Sequence, residues 1–157
     1  MGTTEVTEAL DKSAIRYELL SHRRTERAAE EAAALEIAPD EVAKTIVVVG
    51  ERGRARLVLP ASERVDLRKA RTALEEAKDL RLATEDELAR AYPMFELGAV
   101  PPVGGPAGDR VLVDPRVAER ESIVFEAGSH GESVRVNAAD VLALSHAEIV
   151  DVCREEP

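Results

Sequence analysis

Residues 43–59 read Ala-Lys-Thr-Ile-Val-Val-Val-Gly-Glu-Arg-Gly-Arg-Ala-Arg-Leu-Val-Leu, and the fold class follows from how this stretch is placed. β-Branched Thr45-Ile46-Val47-Val48-Val49 suits a pleated strand, Glu51-Arg52-Gly53-Arg54 supplies a turn, and Ala55-Arg56-Leu57-Val58-Leu59 returns as a second strand. The first strand is almost continuously apolar, which predicts burial on both of its faces. Upstream, Ile15–Leu20 alternates with the period of a strand, between an amphipathic helix over 4–13 and an alanine-rich helix from Thr25 to Leu35. Thr25 is the expected N-cap of that second helix, and Pro39–Val42 a short helical turn. Downstream, Asp66 caps a helix reaching to about Lys78, Leu80–Ala83 forms a short strand, and the Thr84–Glu87 capping box starts a helix to Ala91. Strands are predicted at Arg110–Asp114, Ser122–Glu126 and Ser133–Asn137, then a helix opened by Asn137 and Asp140, and a closing strand over 147–152. Helical crossovers mixed with hairpins predict an α+β fold with a mixed sheet, in one domain spanning 1–157.

Composition narrows the function classes. With 31 acidic against 21 basic residues the net charge is −10, which argues against non-specific binding to DNA or other long nucleic acid but permits a local basic patch. Aromatic residues make up 3% and tryptophan is absent, so the core must be built from Val, Leu, Ile and Ala. No apolar run approaches the ~20 residues of a membrane span, and Met1–Val6 is neither basic nor apolar as a secretory leader would be. A cytoplasmic protein with no membrane partner is expected. Cys153 is the one cysteine and reads as a small apolar residue of the last strand; His22, His130 and His146 are scattered without metal-ligand spacing. Neither a metal nor a cofactor is expected.

Between the helix ending near Ala91 and the strand at Arg110 lies Pro93-Met-Phe-Glu-Leu-Gly-Ala-Val-Pro-Pro-Val-Gly-Gly105, which alternates glycine freedom with proline constraint. Such a loop either connects elements rigidly or holds a backbone surface for a ligand. Lys44 stands where the chain enters its most apolar strand, placed either to bind an anion or polarise a carbonyl, or to snorkel with its head in water. Gly128-Ser129-His130-Gly131 offers a hydroxyl and an imidazole, or a plain hairpin turn. Asp114, before Pro115, suits a hydroxyl or amine ligand, or the capping of its own loop. No phosphate-binding P-loop, dinucleotide fingerprint or Ser-His-Asp set is present.

Taken in order, Ala43-Lys44-Thr45-Ile46-Val47-Val48, Gly98-Ala99-Val100-Pro101-Pro102-Val103-Gly104, Val113-Asp114 and Ala127-Gly128-Ser129-His130 resemble the YbaK/EbsC family. This is the prolyl-tRNA-synthetase-associated, or INS-like, editing domain, and the likeness runs from about His22 to Val152, in a freestanding branch with a GAxPPxG loop. The resemblance implies a bifurcated, barrel-like mixed sheet surrounded by helices. It also implies trans hydrolysis of the ester joining a wrong amino acid to the 3′-terminal adenosine of a tRNA, with a synthetase as a candidate partner. Lys44 would position the aminoacyl-adenosine end and Gly98 would offer backbone groups to substrate or water, making these two the catalytic pair. Thr45, Ala99, Pro101, Pro102, Gly104, Asp114, Gly128, Ser129, His130 and His22 would contact substrate. Family members use neither metal nor triad; water and substrate groups such as the ribose 2′-hydroxyl take part. The chain departs from the pattern at Leu20, where a tyrosine is common, at Met94-Phe95, in place of Gly-Tyr, and at Ala99, in place of a second glycine. The amino acid removed therefore stays open among Cys, Ala, Ser and Thr. The alternative is a non-catalytic module of the same fold that binds a nucleotide, an aminoacyl-adenosine-like ligand or a protein.

Overall fold

The computed structural model describes residues 2–155; Met1 and the last two residues of the expected domain lie outside them. Two sheets make the framework. One is antiparallel, in the order β1 (Tyr17–Ser21), β7 (Glu132–Asn137), β6 (Ser122–Ser129). The other is mixed and runs β4 (Arg81–Leu82), β2 (Ala43–Gly50), β3 (Gly53–Pro60), β5 (Arg110–Val113), β8 (Glu148–Ile149). The β2–β3 hairpin pairs antiparallel from Ala43↔Pro60 to Gly50↔Gly53, while β3–β5 and β5–β8 are parallel. The mixed α+β class expected from the sequence is the fold observed.

Burial within the hairpin differs from expectation. β3, not β2, is the strand covered on both faces: its residues from Ala55 to Pro60 are all buried, whereas β2 is only partly so. The reason is neighbours, since β3 lies between β2 and β5 but β2 meets β4 only at Val48 and Val49. Val58 faces an inter-sheet core with Val113, Ile123, Phe125 and Val134, against which α1 (Gly2–Lys12) packs Val6 and Leu10. Leu57 and Leu59 face a second core under α3 (Leu67–Ala73), with Ala70, Leu112 and Cys153.

Local signals explain most helix ends. Asp66 accepts from the N–H groups of Arg68 and Lys69 to start α3, and Thr84 with Glu87 caps α4 (Glu85–Ala91). α3 stops well short of Lys78 because the chain turns left-handed at Glu75 (φ 56°), which brings the buried Glu76 carboxylate onto the N–H groups of Glu51 and Arg52. α2 (Ala28–Leu35) begins after Arg27 rather than Thr25. Thr25 instead donates its backbone N–H to the His130 carbonyl, and its hydroxyl has no partner among the described residues. A short helix α5 (Pro115–Ala118), capped by Asp114 with proline at its first position, was not anticipated; α6 (Ala138–Ser145) was.

Beyond their shared core, the two sheets are joined among the described residues by one backbone bridge, which places everything below. Val42, just before β2, bridges Val124 of β6 in the parallel sense, and both pack on Ala32 of α2. Past that bridge β2 and β6 enter different sheets, so the framework forks. On the fork side, residues 43–46 of β2 have no strand partner among the described residues.

Candidate functional site

A cavity of about 360 Å3 opens in the fork. Its walls are residues 43–46 of β2, Phe125 and Glu126 of β6, Gly98–Val100 of the Gly/Pro loop, and residues 26–29 with Glu31 at the start of α2. Side chains alternate along a strand, so Lys44 projects to the same side as Val42, and Glu126 to the same side as Val124. Both valines pack on the α2 side, which brings a lysine and a glutamate from distant strands to one face of the fork.

Half-buried Lys44 has no hydrogen-bond or ion-pair partner among the described residues, and burial lowers its pKa below the ordinary lysine value. A desolvated, unpaired ammonium is a strong attractor for an oxyanion or phosphate. Gly98 adopts φ +84°, a conformation that costs a β-carbon-bearing residue about 1 kcal/mol or more. The N–H of Gly98 has no backbone acceptor among the described residues, whereas Ala99 N–H returns to Glu96 O.

His130 explains how the Gly98 segment is held. Its ring is buried, with Nε2 2.6 Å from Leu97 O and Nδ1 3.1 Å from Glu126 Oε2. The short contact to a carbonyl requires Nε2–H as donor. One proton is then shared between Nδ1 and the Glu126 carboxyl. Burial raises the Glu126 pKa; burial opposes the His130 cation, but the Leu97 carbonyl and the Glu126 charge together raise the His130 pKa above its ordinary value. Glu96, next to Leu97, accepts from the His130 backbone N–H and pairs with Arg24 at 3.1 Å, and Arg24 also pairs with Glu26 at the cavity wall.

Of the residues expected at the site, Lys44, Thr45, Gly98 and Ala99 meet in the cavity. The others lie outside its lining. Pro101 and Gly104 turn their carbonyls to the buried Arg56 guanidinium at 2.8 and 2.9 Å, and Pro102 is buried beside them. Asp114 is fully buried; it caps α5, accepts from Val152 N–H and pairs with Arg116. The turn expected around Gly128 and Ser129 is instead the bulged end of β6. Gly128 is needed where it stands: with φ +80°, a Cβ there would lie 2.5 Å from Phe95 Cδ1, and its carbonyl accepts from Glu96 N–H. Ser129 Oγ accepts from Gly131 N–H. His22 reaches α2 through a serine, with Nδ1 2.7 Å from Arg23 O and Nε2 2.9 Å from Ser133 Oγ, which in turn bonds Glu31.

Glu26, Glu31 and Glu126 are cavity carboxylates that the sequence reading missed. Glu126 is a lone carboxylate after Ile123-Val124-Phe125, whereas Glu31 stands beside Glu30 among the alanines of α2 and is not singled out by its neighbours. The Glu126 signal was available. A separate cluster of Asp114, Asp151 and Cys153 brings ligand-type atoms within 4.8 Å of one another. Its carboxylates already pair with Arg116 and Lys69, and burial pushes the Cys153 thiol up to about 12.

A forked α+β sheet with a lysine and a glycine loop in the fork matches known proteins. The aminoacyl-tRNA editing domain family matches residues 22–144. The chain belongs to that family. A solved structure described as a candidate trans-editing enzyme for prolyl tRNA synthetase is 25% identical, with a TM-score of 0.88 and 98% of each chain covered. A hypothetical protein at 23% identity superposes with a TM-score of 0.87, over 96% of this chain and 99% of that one. A candidate signal transduction protein from Marinobacter aquaeolei VT8, 21% identical with a TM-score of 0.72, matches 97% of this chain but only 31% of its own. These last two likenesses speak for the fold alone. No curated protein matches the chain. Among the described residues of this editing-domain protein, no helix is long and apolar enough to cross a membrane.

Proposed function

We propose that this editing-domain protein is a trans-acting aminoacyl-tRNA deacylase, which hydrolyses the ester of a mischarged tRNA. The observation that carries the reading is that the Lys44 ammonium, without a hydrogen-bond or ion-pair partner among the described residues, shares a cavity with Gly98, whose N–H has no backbone acceptor among them. An aminoacyl ester is already an activated acyl group, so orientation and oxyanion stabilisation suffice to speed attack by water. Lys44 supplies charge to the developing oxyanion or to a neighbouring phosphate, and the Gly98 N–H supplies a donor. Water adds to the carbonyl carbon, the bond to the ribose oxygen breaks, and that oxygen takes up a proton. A terminal nucleotide touches few phosphates, so a protein of net charge −10 can bind it.

The test is release of amino acid from a panel of tRNAs mischarged with Ala, Ser, Thr and Cys. At least one is expected to be deacylated, and Lys44→Ala should slow that reaction by about a hundredfold, the usual effect of removing one charge-stabilising donor. The melting temperature should change little, because the Lys44 ammonium makes no hydrogen bond or ion pair with any other described residue. An untouched panel, or a fully active alanine variant, would overturn the reading.

A further inference from the structure

We infer that Glu126 binds the free α-ammonium of the esterified amino acid, which restricts the site to aminoacyl esters with an unblocked amine. The inference rests on the deacylase reading and names a substrate feature within that site. Three observations lead to it.

The first is the polarity of the cavity. Lys44 and Glu126 each stand two residues beyond the Val42–Val124 bridge and line the same cavity, yet they form no ion pair: the side-chain charges that act on Lys44 are those of Glu63 and Arg64, and those that act on Glu126 are His130, Glu96 and Glu26. A cation and a carboxylate held open across a fork suit a ligand carrying both charges. An aminoacyl-adenosine end is such a ligand, with an ammonium next to the ester and an oxyanion or phosphate beyond it.

The second is how Glu126 is tied. Its Oε2 is held by His130 Nδ1, while Oε1 has no hydrogen-bond partner among the described residues and is not sealed from the cavity. One oxygen fixes the rotamer; the other remains to accept. The same His130 holds Leu97 O, so the carboxylate and the Gly98 peptide are locked to each other through one imidazole. An amine seated on Oε1 therefore has a fixed position relative to the donor that meets the ester.

The third is the surrounding charge. Glu26 Oε2 lies 3.8 Å from His130 Nε2 and Glu96 Oε2 accepts from His130 N–H, while Glu31, a further cavity carboxyl, keeps its proton near neutral pH and adds no charge. Against these stand Arg24, already shared between Glu26 and Glu96, Arg27 at the cavity wall, and His130 itself. The wall around Glu126 favours a cation. An N-acetylated amine brings no charge there and adds an acyl group to a cavity of about 360 Å3.

The probes are non-hydrolysable 3′-(aminoacylamido)-3′-deoxyadenosines carrying Ala, Ser, Thr or Cys, each with a free amine and as the N-acetyl form. They are titrated calorimetrically into wild-type protein and Glu126→Gln, beside deacylation of the corresponding esters. The glutamine amide can donate to His130 Nδ1, so this variant keeps the His130–Leu97 tie while losing the charge. Wild type should prefer the free amine by about tenfold or more, as a charge-assisted hydrogen bond warrants, and Glu126→Gln should bring the two forms to near parity. Amine-selective binding without turnover of any ester would leave this inference standing and remove the catalytic reading. Turnover with equal affinity for both forms, or an undiminished preference in Glu126→Gln, would overturn the inference alone. Absence of binding and of turnover would overturn both.

Discussion

Replacing Arg56 by alanine is expected to lower the unfolding free energy by about 4 kcal/mol, the scale seen when one partner of a buried charge network is removed. At this chain size that corresponds to a fall in melting temperature of roughly 10 °C. The residue is 2% exposed, and its guanidinium serves three acceptors at once: Asp109 Oδ2 at 3.0 Å, Pro101 O at 2.8 Å and Gly104 O at 2.9 Å. It also lies 5.0 Å from the centre of the Tyr92 ring. Truncation leaves two carbonyls in the Gly/Pro loop without donors, and leaves Asp109 with only Arg54 and the Tyr92 hydroxyl. Arg56→Lys should recover no more than about half the loss, because an ammonium cannot match three acceptors fixed by a planar fork. Denaturant unfolding measures the stability. Faster amide exchange at 99–105 would locate the damage in the loop. An unchanged unfolding midpoint in the alanine variant would show that the network contributes nothing net. The effect should also reach deacylation, since the clamped carbonyls follow directly on the cavity-lining segment Gly98–Val100.

Arg56 also shows where a sequence reading stops. Its place in Ala55-Arg56-Leu57-Val58-Leu59 looks like the polar residue of a half-buried strand, and the outward face would be the ordinary choice. It points inward because the Gly/Pro loop packs on that face and needs a donor, a fact set by β5 pairing parallel to β3. The same parallel pairing covers β3 on both sides and leaves β2 partly open. Elements set by local chemistry were legible: the Asp66 and Thr84 caps and the β2–β3 hairpin stand where the residues put them. The Lys44–Gly98 association came from resemblance to a family, not from spacing, and the cavity brings those two residues together. What joins Lys44 to Glu126 is a single bridge between Val42 and Val124, two ordinary valines with no local mark of their meeting. His130 was legible as an imidazole in a glycine-flanked turn, but not in its direction. Burial turns it inward, to the Leu97 carbonyl and Glu126.

Glu31→Gln is expected to stabilise the protein at neutral pH, with a gain that disappears on acidification. Glu31 is 1% exposed, and burial pushes its pKa from 4.5 up to about 8, with the Ser133 hydrogen bond opposing and the Glu126 charge reinforcing the shift. The folded protein therefore holds a proton that the unfolded chain releases near pH 4.5. Below that pH both states are protonated and burial of Glu31 carries no ionisation cost. As pH rises from about 4.5 to about 8 the unfolded state alone ionises, so stability declines across this window and levels off once the folded carboxyl also loses its proton. At pH 7 the accumulated cost is about 3 kcal/mol, from roughly 1.4 kcal/mol per pH unit. A glutamine removes that cost and can still donate to Ser133 Oγ, whose hydroxyl then turns to His22 Nε2 while His22 Nδ1–H stays on Arg23 O. The measurement is the unfolding free energy of both proteins from pH 4 to pH 8. Other carboxylates titrate in both, so the difference curve isolates Glu31: near zero at pH 4.5 and rising in favour of the variant toward pH 8. A flat difference would mean that Glu31 is ionised in the fold at all these pH values. A difference of opposite sign would mean that its negative charge is held by a partner worth more than the burial costs.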